Sequence, residues 1–294
     1  MTAIRVTARE HDMLGTPVRR VLPARQCRAV GPFVFLDHFG PTRKTMQVAP
    51  HPHIGLSTLT WLFSGTIRHT DSLGNDQWIR PGEVNWMTAG QGIVHAERSD
   101  LEPTEPIHGL QCWVAQTVEQ EQGEPGFQHL DAAQLPRFSR EGIDWTLVIG
   151  HWLEARSPLA IDWPTFFVQG EARTAGTWVW PYPATWALGI YVMSGRITLQ
   201  QPDGTTGVIE AGELIAVPPP TTDARFEVSA EAGARFVCLG GEPLPEARHF
   251  DWNFVASNKA LLAQARDDWM NGHRFGTVPG DAERIPHPAE DSGS

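Results

Sequence analysis

The chain has 294 residues, a hydrophobic fraction of 41% and a formal net charge of -11. That length exceeds one ordinary domain and the apolar content is that of a globular protein, so two domains of about 100 to 150 residues are expected and a disordered chain is excluded. The acidic balance repels phosphate backbones, which argues against direct nucleic-acid binding, and no run approaches the ~18 apolar residues of a membrane-spanning helix.

Met1 to Asp12 mixes charged and apolar residues without a signal-peptide core, so a cytoplasmic location is expected. Cys27, Cys112 and Cys238 are odd in number and never form a CxxC pair, which predicts buried, inert thiols rather than disulfides or a zinc ribbon. Short runs rich in Val, Ile, Thr, Phe and Trp alternate with Gly and Pro throughout the chain. That punctuation predicts mostly β structure.

A strand-like run opens on His51-Pro52-His53 and ends at Phe63. In an extended chain, residues i and i+2 leave the same face about 6 to 7 Å apart, so both imidazoles can reach one ion. His95-Ala96-Glu97 repeats this spacing with one imidazole and one carboxylate, after the small-residue loop Thr88-Ala89-Gly90-Gln91-Gly92. If the two strands are neighbours, four ligands converge.

The run Trp61-Leu62-Phe63-Ser64-Gly65-Thr66-Ile67 reappears, 130 residues later, as Tyr191-Val192-Met193-Ser194-Gly195-Arg196-Ile197. Gly74 then meets Gly204, and Pro81-Gly82-Glu83 meets Ala211-Gly212-Glu213, without a gap. A constant register over three turns predicts a duplication, two successive antiparallel barrels or sandwiches. The shift carries His51 and His53 to Pro181 and Pro183, and His95 to Arg225, and no histidine occurs from Trp152 to Arg248. The metal site is therefore expected in the first copy only.

The polar stretch from Glu119 to Arg137 is taken as the junction. The expected organisation is an N-terminal metal-binding barrel over 1–130, a second barrel without metal ligands over 131–256, and a helix with tail over 257–294. With Ser257 or Asn258 as N-cap, Leu261, Leu262, Ala265, Trp269 and Met270 recur at helical spacing, and Asn271-Gly272 supplies a stop. The polar tail beyond Gly280 reads as a frayed terminus.

Three imidazoles and one carboxylate leave two octahedral positions open, a set suited to Fe(II) and acceptable to Mn, Co, Ni or Cu. Zinc is less suited, since a closed four-ligand tetrahedral site would be structural, with five-coordinate catalytic zinc as the alternative. Adjacent open positions on a redox metal admit a chelating substrate together with O2, which points to dioxygenation.

Several motifs resemble the pirin family: Gly31-Pro-Phe-Val-Phe-Leu-Asp-His-Phe-Gly-Pro41, His51-Pro-His-Ile-Gly55, Pro81-Gly-Glu-Val-Asn-Trp-Met-Thr-Ala-Gly-Gln-Gly-Ile-Val-His-Ala-Glu97 and His108-Gly-Leu-Gln111. The resemblance continues through Gly240-Gly-Glu-Pro-Leu244 and Asn271-Gly-His-Arg-Phe-Gly276, nearly the whole chain. It implies an all-β bicupin, two tandem cupin barrels of the double-stranded β-helix or jelly-roll type with a C-terminal α-helix. It also implies Fe(II) in the first barrel, on His51, His53, His95 and Glu97. Several bacterial pirin-like proteins are quercetin 2,3-dioxygenases, so ring opening of a flavonol-like substrate by O2 is the implied activity. Animal pirins are described as transcriptional co-regulators, so the alternative is a non-enzymatic, iron-binding regulator acting through a protein partner.

The chain departs from that pattern at Ser57, where many pirins and other cupins have Glu, and at Ile54, where many pirins have Arg. Glu97 is then the carboxylate expected at the metal, serving as both ligand and catalytic base unless metal binding alone lowers the flavonol's pKa. His38 and His108 either orient a ligand or cap strand ends, and His69 reads as exposed or barrel-filling. Trp61, Trp78, Trp86 and Trp113 read as core, with an aromatic substrate wall as the alternative.

Overall fold

A computed structural model describes residues 3–13, 16–99, 101 and 104–290. In chain order the first strands are β1 (Ile4–Thr7), β2 (Arg9–Met13), β3 (Thr16–Leu22), β4 (Phe33–Thr42) and β5 (Gln47–His53). They are followed by β6 (Leu56–Ser64), β7 (Ile67–Asp71), β8 (Asp76–Ile79), β9 (Val84–Thr88), β10 (Ile93–Ser99), β11 (Ile107–Ala115) and β12 (Gly126–Leu130). Mostly β structure is what the alternating sequence predicts. Among the described residues no helix is long and apolar enough to cross a membrane.

Two compact units emerge, one of residues 11–18, 37–132 and 244–294, the other of residues 1–10, 19–36 and 133–243. In the first, one sheet runs β5-β10-β7-β8 and the other contains β12-β9-β6-β11-β4. In the second, Gly176–Tyr182, Ala224–Ala230, Arg196–Gln200 and Thr206–Glu210 form a sheet in the order of β5-β10-β7-β8. Its companion sheet runs Glu213–Val217, Ala187–Ser194, Arg235–Gly241, Thr165–Ala172, the order of β9-β6-β11-β4, with β1 added beside Glu213–Val217. Two cupin barrels thus share one topology. The duplication extends to register, because His51 pairs with His95 in the first and Pro181 with Arg225 in the second.

The interiors differ. The second barrel is filled by an aromatic cluster that includes Trp145, Trp152, Phe166, Trp178, Trp180 and Phe236. Full burial of one such side chain contributes about 1.5 to 3 kcal/mol. In the first barrel Val18, Phe39, Met46, Val48, Leu62, Ile67, Ile79 and Ile107 form an apolar cluster. Threonine and histidine occupy the corresponding faces farther along β5, β6 and β10.

The helix α1 (Lys259–Met270) buries Leu262, Ala265 and Trp269, and Asn258 Oδ1 accepts hydrogen bonds from the Ala260 and Leu261 N–H groups. Such a cap is worth about 1 kcal/mol. The tail departs from the frayed terminus expected of it. Ile285 N–H donates to the Pro50 carbonyl, Arg98 pairs with Asp281 and Glu283, and His287 is buried against Trp252 and Phe254. Isolated anchors of this kind leave no periodic signal.

Candidate metal centre

β5 and β10 lie antiparallel with Ile93 opposite His53 and His95 opposite His51, and a bulge between His95 and Glu97 sets Glu97 opposite Val48. On its other side β10 pairs with β7, which sets Asp71 opposite His95 and His69 opposite Glu97. Paired residues share a face of the sheet, so the register brings four histidines and two carboxylates into one interior.

One ring nitrogen of each of His51, His53 and His95 lies within 4.8 Å of the others. Their outward nitrogens are occupied: His51 Nδ1–H donates to the Ala49 carbonyl at 2.9 Å and His53 Nδ1–H to the Asn253 carbonyl at 2.9 Å. Gly55 permits the latter approach, because at φ +64 a Cβ there would sit 2.0 Å from the Val255 carbonyl oxygen. The inward Nε2 atoms of His53 and His95 are 3.1 Å apart. Two nitrogens each about 2.1 Å from one ion, at right angles, lie about 3.0 Å apart. At that spacing the two nitrogens either share one ring proton or turn both lone pairs to an ion between them, so the donor set fits a metal.

The side chains are nearly closed to solvent, with His53 and His95 each 1% exposed, Glu97 7% and His51 8%. Burial pushes His51 down to about 4, against the Ala49 hydrogen bond. Burial and the neighbouring imidazoles hold His53 and His95 well below the ordinary histidine range. All three are neutral at pH 7, the form that binds metals.

Glu97 falls in a second group, with His69 and His95, whose ligand atoms also lie within 4.8 Å of one another. Burial raises its carboxyl above the usual range, against the pull of His69, Thr60 and Gln111. Thr60 Oγ1 lies 3.2 Å from Glu97 Oε1, and Gln111 Nε2 donates to the same oxygen at 3.4 Å. Ser57 is elsewhere: it pairs with Thr88, with 3.5 Å between the hydroxyls, on the face of β6 opposite that of Thr60. The residue at 57 is therefore not the one that faces the site.

Of the two expectations for His69, exposed or barrel-filling, the second holds, and the buried ring also joins this cluster. Its Nε2 lies 3.1 Å from Asp71 Oδ2, its Nδ1 3.3 Å from His95 Nδ1, and its ring stacks on Phe127 at 4.6 Å. The available signal was the same i, i+2 spacing, in His69-Thr70-Asp71. His38 and His108 instead pair with each other, Nε2 to Nε2 at 2.7 Å, with Phe63 against His108. Trp113 packs edge-on against His53, whereas Trp61 and Trp86 are core. Glu83, His129 and Asp131 form a third, more exposed group with ligand spacing.

The model of the Pirin family matches residues 15–114, and that of the Pirin C-terminal cupin domain matches residues 167–276. A pirin-like protein of Caulobacter vibrioides is 40% identical over 276 residues, covering 90% of this chain and 92% of its own. Human Pirin is 30% identical over 275 residues, with 90% and 91% covered. The crystal structure of a quercetin 2,3-dioxygenase from Acinetobacter baumannii superposes with a TM-score of 0.88 at 33% identity, covering 97% of this chain and 95% of that one.

Proposed function

The chain belongs to the pirin family, and from that premise we propose that it is a metal-dependent dioxygenase that opens a flavonol ring with O2 and releases carbon monoxide. The observation that carries this reading is the convergence of three neutral imidazoles beside a buried carboxylate. His51, His53, His95 and Glu97 would hold the ion, and Fe(II) suits that set best. Bound there, the metal would supply a redox-active Lewis acid for a chelating substrate and O2.

Glu97 has the second task of taking the 3-hydroxyl proton of the flavonol onto its carboxylate. Thr60 and Gln111 hydrogen-bond Oε1 and so orient the carboxylate. Trp113, edge-on to His53, offers an apolar flank for a planar aromatic ring.

The test is oxygen uptake and carbon monoxide release by anaerobically Fe(II)-loaded protein given quercetin. The expected outcome is turnover that a chelator abolishes, reduced roughly 10²- to 10⁴-fold by Glu97→Gln. Loaded protein that consumes no oxygen with quercetin or related flavonols would contradict the enzymatic reading and favour the regulatory one.

A further inference from the structure

His51 and His53 donate Nδ1–H to backbone carbonyls. A carbonyl oxygen only accepts, so each ring must carry its proton on Nδ1 and keep a lone pair on Nε2. His95 lacks that constraint. Its Nδ1 faces another imidazole nitrogen, His69 Nδ1, at 3.3 Å, and such a nitrogen can donate or accept. With the proton on His69 Nδ1, His95 would carry its own on Nε2 and lose the lone pair that a metal needs.

Asp71 decides between these states. Its Oδ1 accepts from the Leu73 and Asn75 N–H groups at 2.9 and 3.0 Å, and its Oδ2 from Asn75 Nδ2 at 2.8 Å. A carboxylate surrounded by donors only accepts, so the His69 proton must lie on Nε2, 3.1 Å from Asp71 Oδ2. His69 Nδ1 then accepts from His95 Nδ1–H, and His95 Nε2 keeps a lone pair beside that of His53 Nε2, 3.1 Å away, a pair of donors for one ion. The stack on Phe127 fixes the plane of the His69 ring.

We propose that Asp71 and His69 form a positioning dyad that sets the tautomer of His95 and so makes its Nε2 available to the metal. This rests on the reading of His95 as a ligand, and it extends to a second imidazole the usual arrangement in which an outer partner orients a metal-bound histidine.

Asp71→Asn tests it. The substituted amide keeps its oxygen with the Leu73 and Asn75 N–H groups and turns an N–H toward His69 Nε2, which reverses the chain. In metal-free, ¹⁵N-histidine-labelled protein, long-range proton–nitrogen correlation should show His95 as Nδ1–H in the parent and Nε2–H in the variant. The Co(II) dissociation constant should rise roughly 10- to 100-fold, and His51 and His53 should remain Nδ1–H in both. If Asp71→Asn disturbs the fold, His69→Phe removes the acceptor while keeping the Phe127 stack, and it should weaken Co(II) over the same range. Parent-like tautomers and Co(II) affinity in folded Asp71→Asn would overturn the proposal. Tautomers that follow Asp71 in a parent that binds no Co(II) would sink the metal-site reading instead, and leave the tautomer assignment standing.

Discussion

Alanine in place of His95 is expected to reduce stoichiometric binding of one ion per chain to none detectable at micromolar metal, a loss of more than about 100-fold in affinity. Outer partners of metal ligands already cost 10- to 100-fold, and His95 is a proposed ligand at the centre of the cluster. Its rings contact His51, His53 and His69 at centroid distances of 4.4, 5.0 and 5.1 Å. Stability should report the same loss. An ion at about 1,000 times its Kd stabilises the fold by about 4 kcal/mol, so metal should raise the parent's Tm by several degrees and leave that of His95→Ala unmoved. Equal metal-induced shifts in the two proteins would place the ion elsewhere.

The second large effect concerns pH. His51 titrates near 4 in the fold and near 6.5 as a free side chain, and His53 and His95 lie lower than the free value too. Below pH 6.5 the unfolded chain therefore takes up protons that the folded chain refuses, and stability falls with pH. A shift from 6.5 to about 4 amounts to about 3 kcal/mol for His51 alone. Glu97 acts in the opposite sense, since its raised carboxyl stabilises the fold below about 4.5 and loses that contribution as pH rises. Three imidazoles outweigh one carboxyl, so the metal-free protein should lose stability between about pH 6.5 and 4.5. Denaturant midpoints across that interval check it, and a flat profile would show that the imidazoles are not held neutral.

Much of this site was legible because two of its strands carry their ligands at i, i+2, where alternation alone puts both side chains on one face. The 130-residue shift was legible for a related reason: turn glycines keep their spacing even where His51 and His95 give way to Pro181 and Arg225. Long-range partners were not legible. Asn253, 200 residues from His53, orients that ring, and no spacing rule connects them. His69 carried the right spacing with Asp71, but its role depends on the β7–β10 pairing that sets it opposite Glu97. Ser57 looked like a missing ligand when counted along the chain, and strand alternation turns it to the opposite face of β6 from Thr60.

The central claim is that one ion sits among the Nε2 atoms of His51, His53 and His95. Anomalous diffraction at the iron edge, from crystals grown anaerobically with Fe(II), tests it most directly. A single strong peak about 2.1 Å from all three nitrogens is the predicted result. A peak confined to Glu83, His129 and Asp131, with none among the three histidines, would contradict it.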